Sequence, residues 1–122
     1  VPAAILAVLI ELEFQSSTDG FSYLRKAILL RYQNPERRLI EIYNQIVSDF
    51  DDEVTVNQIE QAILSAIDTA WRNRDSEKWD YFFSERRTGN RKRPGNKEFI
   101  AQIACFMELW FSHCQEVSYA IK

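Results

Sequence analysis

Residues 39–71 read LIEIYNQIVSDFDDEVTVNQIEQAILSAIDTAW, and the pattern of this stretch decides the fold. Apolar residues recur every three or four positions on both sides of a short acidic break, the mark of two amphipathic helices joined by a turn. Leu39, Ile42, Tyr43 and Ile46 form the inward face of the first half, and Asp51-Asp52-Glu53-Val54 makes the turn. Thr55 caps the second half, and Gln58, three residues on, completes a capping box. The second stripe is Val56, Ile59, Ile63, Ala66, Ile67, Ala70 and Trp71, which leaves Asn57, Gln58, Glu60, Gln61, Leu64, Ser65 and Asp68 facing outward. Helix, turn, helix is a layout that can read a DNA major groove. This stretch, however, carries seven acids and not one Lys or Arg. A groove reader meets a polyanion, so shape and charge pull in opposite directions.

Outward from this unit, four more helices are predicted. The first covers Pro2–Glu13, with a nearly all-apolar face. Ser16-Ser17-Thr18-Asp19-Gly20 is a turn cluster, and a second helix runs from Phe21 to Tyr32 with Phe21, Leu24 and Ile28 on one stripe. Asn34-Pro35 is an N-cap followed by proline at the first helical position, so the helix ending at Phe50 is expected to start there. Ser76–Phe83 reads as a short helix anchored by Trp79, Phe82 and Phe83. Asn96 is placed as the cap of a long last helix, whose stripe is Phe99, Ile103, Met107, Trp110, Cys114, Val117 and Ile121. The expectation is therefore all-α, one compact six-helix domain over residues 1–122, containing a helix-turn-helix and an extended C-terminal helix.

Length and composition agree with one domain: 122 residues, 46% apolar, with only three Gly and three Pro. Net charge is −3, which argues against a general nucleic-acid binder, but the charge is segregated. Residues 1–38 hold five bases and four acids, 39–71 none and seven, and 72–122 ten and seven. Cys105 and Cys114 fall roughly 180° apart on one helix, and a single His113 adds no metal-ligand spacing. Buried or half-buried free thiols are the expectation for both. The acidic turn lacks the Gly and alternating ligands of an EF-hand loop; its carboxylates suit the N-terminus of the next helix instead. The apolar run Ala3–Ile10 is too short to span a bilayer, and the opening on Val1 is what an excised domain or processed chain would show. No nucleophile, base and phosphate cradle converge, so no enzyme, cofactor, metal or small-molecule substrate is expected.

Three blocks carry a family resemblance: Gly20-Phe21-Ser22-Tyr23-Leu24-Arg25-Lys26-Ala27-Ile28, then Ile59-Glu60-Gln61-Ala62-Ile63 with Ala66-Ile67 and Ala70-Trp71, then Arg93-Pro94-Gly95-Asn96-Lys97-Glu98-Phe99-Ile100-Ala101. In this order and spacing they resemble the C-terminal effector domain of the sporulation master response regulator (stage 0 sporulation protein A) of spore-forming Gram-positive bacteria, over residues 3–107. The resemblance implies a compact six-helix DNA-binding transcription regulator, cytoplasmic and bacterial. In that family a phosphorylated receiver domain precedes this unit and phosphorylation promotes tandem dimerisation on DNA; these residues include no receiver.

The resemblance also assigns a site. The base-facing residues are Gln58, Glu60, Gln61, Leu64 and Ser65, and Arg86, Arg87, Arg91, Lys92 and Arg93 would contact phosphates. The family carries arginines where this chain has Gln58, Gln61 and Leu64, while Glu60 keeps the family's residue type. Gln can bond adenine N6 and N7, and Leu can touch a thymine methyl. Arg91 and Arg93 stand where the family carries lysines, and positions 86–97 hold six bases and no acid. That run serves as a phosphate clamp, pairs with the acidic 39–71 face of a second molecule, or is simply a solvated loop. Leu64 is a scattered surface leucine, a base contact or part of a protein interface. Beyond Met107, Trp110, Phe111, Val117, Tyr119 and Ile121 either cover the domain's own core or form a homodimer surface. Two functions remain open: a DNA-binding regulator with an arginine-depleted recognition helix, or a protein-interaction module that kept the fold without the DNA code.

Overall fold

In the computed structural model the order is α1 (Pro2–Glu11), α2 (Asp19–Gln33), α3 (Leu39–Asp49), α4 (Val56–Arg72), α5 (Ser76–Phe83) and α6 (Asn96–Ile121). The structure describes residues 1–50, 53–83 and 92–121, with side chains described as far as Ser112. All regular structure among the described residues is helical. α2 lies at the centre, packed on α4 and α6 most extensively and also on α1 and α3. The α3–turn–α4 unit is the expected helix-turn-helix, and the capping box at Thr55 forms as the spacing predicts.

Three helix starts differ from expectation, each through a side chain that found another partner. Thr18 Oγ1 accepts from the Phe21 N–H at 3.2 Å, so α2 begins at Asp19 and Gly20 is helical. It is there for closeness, not for a turn. A Cβ at Gly20 would sit 2.3 Å from the Ala62 carbonyl oxygen, so only glycine lets α2 and α4 approach this far. Asn34 and Pro35 form a turn instead of opening α3. Asn34 Oδ1 accepts from Glu36 N at 3.2 Å, its carbonyl accepts from Arg37 N at 3.1 Å, and the Arg31 guanidinium holds the Arg37 carbonyl at 3.1 Å. Local asparagine bonding of this kind competes with helix entry, and α3 starts only at Leu39, which is half-buried. Asn96, finally, does not cap α6. The Gly95 carbonyl starts that helix by accepting from Phe99 N at 2.9 Å, which leaves the Asn96 side chain for the contacts described below.

The core is the expected stripes brought together. Ile59, Ile63 and Ile67 of α4 face Phe99, Ile103 and Met107 of α6 and Phe21, Leu24 and Ile28 of α2, all essentially inaccessible. Trp79 anchors α5 from within an aromatic cluster, its ring centroid 6.2 Å from Phe14, 5.5 Å from Trp71, 5.6 Å from Phe83 and 5.8 Å from Phe99. Among the described side chains the buried stripe of α6 ends at Met107, because Trp110, expected within it, is 51% exposed; the side chains of Val117, Tyr119 and Ile121 lie outside them. Cys105 is likewise exposed rather than buried, and the Cys114 side chain lies outside the described residues. Among the described residues no helix is long and apolar enough to cross a membrane.

Candidate nucleic-acid interface

The reading face grows out of the period of α4. With one side committed to Ile59, Ile63, Ile67 and Ala70, the opposite positions must face away from the core. Asn57, Gln58, Glu60, Gln61 and Ser65 are exposed, whereas Leu64 is half-buried. The proposed readers thus share one surface, with Leu64 the least available.

Gln58 has a second duty. Its Oε1 accepts from the Thr55 N–H at 2.8 Å while Thr55 Oγ1 accepts from the Gln58 N–H at 3.1 Å. A bidentate bond to adenine uses the amide oxygen as acceptor and the amide nitrogen as donor. With the oxygen engaged in the cap, Gln58 retains its Nε2 as a donor. Gln61, one turn further on and outside the cap, keeps both groups available.

The basic segment meets this unit at its C-terminal end. Arg86, Arg87 and Arg91 lie outside the described residues. Lys92 is exposed, Arg93 is partly covered and Pro94 is buried. The Arg93 guanidinium donates to Asp68 Oδ1 at 3.0 Å. Three residues later, Asn96 Nδ2 donates to the Glu60 carbonyl at 3.0 Å and to the Tyr43 hydroxyl at 3.1 Å. One residue therefore clasps both helices of the helix-turn-helix, and Arg93 reaches the same helix α4 at Asp68. Sequence reasoning missed this role of Asn96 because a helix cap explained the same residue.

Charge around this junction is closely compensated. Asp68 Oδ2 also accepts from Arg72 Nε at 2.9 Å. The Arg72 hydrogen bond, with attraction from Arg72 and Arg93, holds the Asp68 carboxyl below its ordinary range. Burial pushes the Tyr43 phenol up from its ordinary value; the Asn96 bond opposes this and the Glu60 carboxylate adds to it. Of the acidic turn, Glu53 is exposed, while Asp51 and Asp52 fall outside the described residues. No group of acids, histidines or cysteines among the described residues could hold a metal ion.

A family model described as the sporulation initiation factor Spo0A C terminal matches residues 5–107. The match runs from the first buried residue of α1, Ile5, to Met107, the last buried one among the described side chains of α6. It takes in α4, the Asn96 clasp and all three sequence blocks.

Proposed function

The chain belongs to the Spo0A C-terminal family, a family of DNA-binding effector domains of sporulation regulators. From that premise we propose that α4 reads duplex DNA with amide and carboxylate groups in place of arginines. Gln61 is assigned to an adenine edge, Glu60 to a cytosine N4 donor, and Ser65 and the Gln58 amide to further polar contacts. Leu64, half-covered, touches at most a thymine methyl. Arg86, Arg87, Arg91, Lys92 and Arg93 hold the phosphates. The observation that supports this most directly is the docking of the basic segment on α4, through Asn96 on the Glu60 carbonyl and Arg93 on Asp68. Arg93, attached to α4 through Asp68, brings positive charge beside base-reading positions that carry none.

The reading implies weak discrimination. Each arginine absent from the base-reading positions removes about 1–3 kcal/mol of sequence preference, so backbone contacts supply most of the affinity. With about five phosphate contacts, log K against log salt should slope near −4 to −5. Fluorescence anisotropy on mixed-sequence duplexes at several salt concentrations measures this. Reversing charge at Arg91 and Arg93 together should weaken binding to all duplexes alike, and unchanged affinity would reject the clamp.

A second reading, association of two copies through α5 and α6, is favoured by a separate surface. Tyr81, Leu109 and Trp110 are 65%, 66% and 51% exposed, and Phe106 links them, 5.8 Å from Tyr81 and 6.5 Å from Trp110 between ring centroids. Light scattering separates the readings: a DNA-free dimer lacking duplex affinity at tens of micromolar would favour this one.

A further inference from the structure

We propose that Asp68 restrains sequence-independent DNA binding by competing with phosphate for Arg93. This rests on the DNA-binding reading above and identifies the residue that limits it. Asp68 follows Gln61 by seven positions and Ser65 by three, so all three lie on one side of α4, with Asp68 about 10 Å along the axis from Gln61. Each carboxylate oxygen holds a guanidinium, Oδ1 that of Arg93 and Oδ2 that of Arg72. The side chains of Asp68 and Arg93 are about one-third exposed, at 30% and 32%, while Arg72 is 72% exposed.

A phosphate approaching Arg93 must therefore displace a carboxylate that is already in place, and then remain beside that negative charge. Neither penalty depends on base sequence. Both subtract from the backbone part of binding and leave base contacts at Gln61 and Glu60 untouched. With no arginine at the base-reading positions, base contacts are few, and lowering the backbone part is the available way to let them decide where the protein rests. Asp68 is thus a specificity-determining residue that touches no base.

The test uses four proteins: wild type, Asp68→Asn, Arg93→Gln and the double variant. Asn keeps an acceptor oxygen for Arg93 and removes the competing charge. With mixed-sequence duplex at 50 mM salt, Asp68→Asn should bind roughly tenfold more tightly, because a phosphate at Arg93 no longer displaces and then faces a carboxylate. The gain should vanish in the double variant. Unchanged or weaker binding by Asp68→Asn, or a gain that survives loss of Arg93, overturns the proposal, since the latter reports net charge or the release of Arg72. If none of the four binds duplex, the DNA-binding reading fails, and retention on immobilised heparin still decides the competition. Later elution of Asp68→Asn that requires Arg93 supports it; equal shifts with and without Arg93 overturn it.

Discussion

Gly20 shows how a single residue can govern the spacing of two helices. Sequence pattern places it in a turn, where glycine is common, but in the fold it lies in the first turn of α2 against the backbone of α4. Its replacement by alanine puts a methyl 2.3 Å from the Ala62 carbonyl oxygen and 3.1 Å from the Ala66 Cβ. Because the nearest atom is backbone, α2 and α4 must part. Overpacking of this kind costs about 1–3 kcal/mol, against which alanine's helix preference of at most about 1 kcal/mol is a partial offset. Gly20→Ala should therefore lower the urea midpoint; a midpoint at or above wild type would show that the helices yield freely. Asn96 carries the same lesson. Sequence reasoning finds an asparagine before an apolar period and assigns a cap, because the competing partners, Tyr43 and the Glu60 carbonyl, are 53 and 36 residues away.

Among the elements, α4 is the one most fully legible in advance. Its start, capping box, buried stripe and outward face follow from bonds and periods within one helix. The start and the box appear as expected, and the stripe is buried at Ile59, Ile63, Ile67 and Ala70. Val56, Ala66 and Trp71 of the stripe, and Leu64 and Asp68 of the outward face, are half-buried. α3 was less legible. The Asn34-Pro35 pair resembles a helix start, but the side chain of Asn34 bonds its own neighbourhood and makes a separate turn. The Thr55 box also joins stability to recognition, since it holds the Gln58 oxygen that base reading would use. Thr55→Ala should cost about 1 kcal/mol of stability, as loss of an N-cap commonly does, measured by thermal melting with circular dichroism. No loss of stability would mean the reciprocal bonds at this terminus contribute nothing net.

The whole molecule is held by apolar stripes and trimmed by charge. Lys26 of α2 meets Asp49 of α3 at 3.2 Å, and Gln45, with Lys26 adding to it, lowers the Asp49 carboxyl from its ordinary 3.8. A carboxyl depressed in the folded state contributes stability that is present above its unfolded value and lost as pH falls through the folded one. Tyr43, buried and raised above 10.0, acts in the opposite direction. Its contribution is complete below the unfolded value and is lost as pH rises through the folded one, because the unfolded phenol ionises first. Urea midpoints should hold level between about pH 5 and pH 9.5 and fall on either side. Tyr43→Phe should flatten the alkaline limb; identical alkaline limbs in the two proteins would remove the phenol from the account.

What the chain determined by itself is what lies within a helical turn or two of each residue: six helices in order, the stripes that face inward, and the α4 surface that faces out. Those follow from bonds between residues three and four apart and from a period of 3.6, and they need no knowledge of neighbours. Only the tertiary structure decided where Arg93 and Asn96 rest. Arg93 and Asp68 are 25 residues apart, and no local rule could pair them or clasp Asn96 to both α3 and α4. Those pairings exist because packing of apolar faces carries distant polar groups within bonding reach, where the donors and acceptors then find one another. The acids of the reading unit and the bases of its neighbour were both visible in the sequence; that one acid holds one of those bases was not.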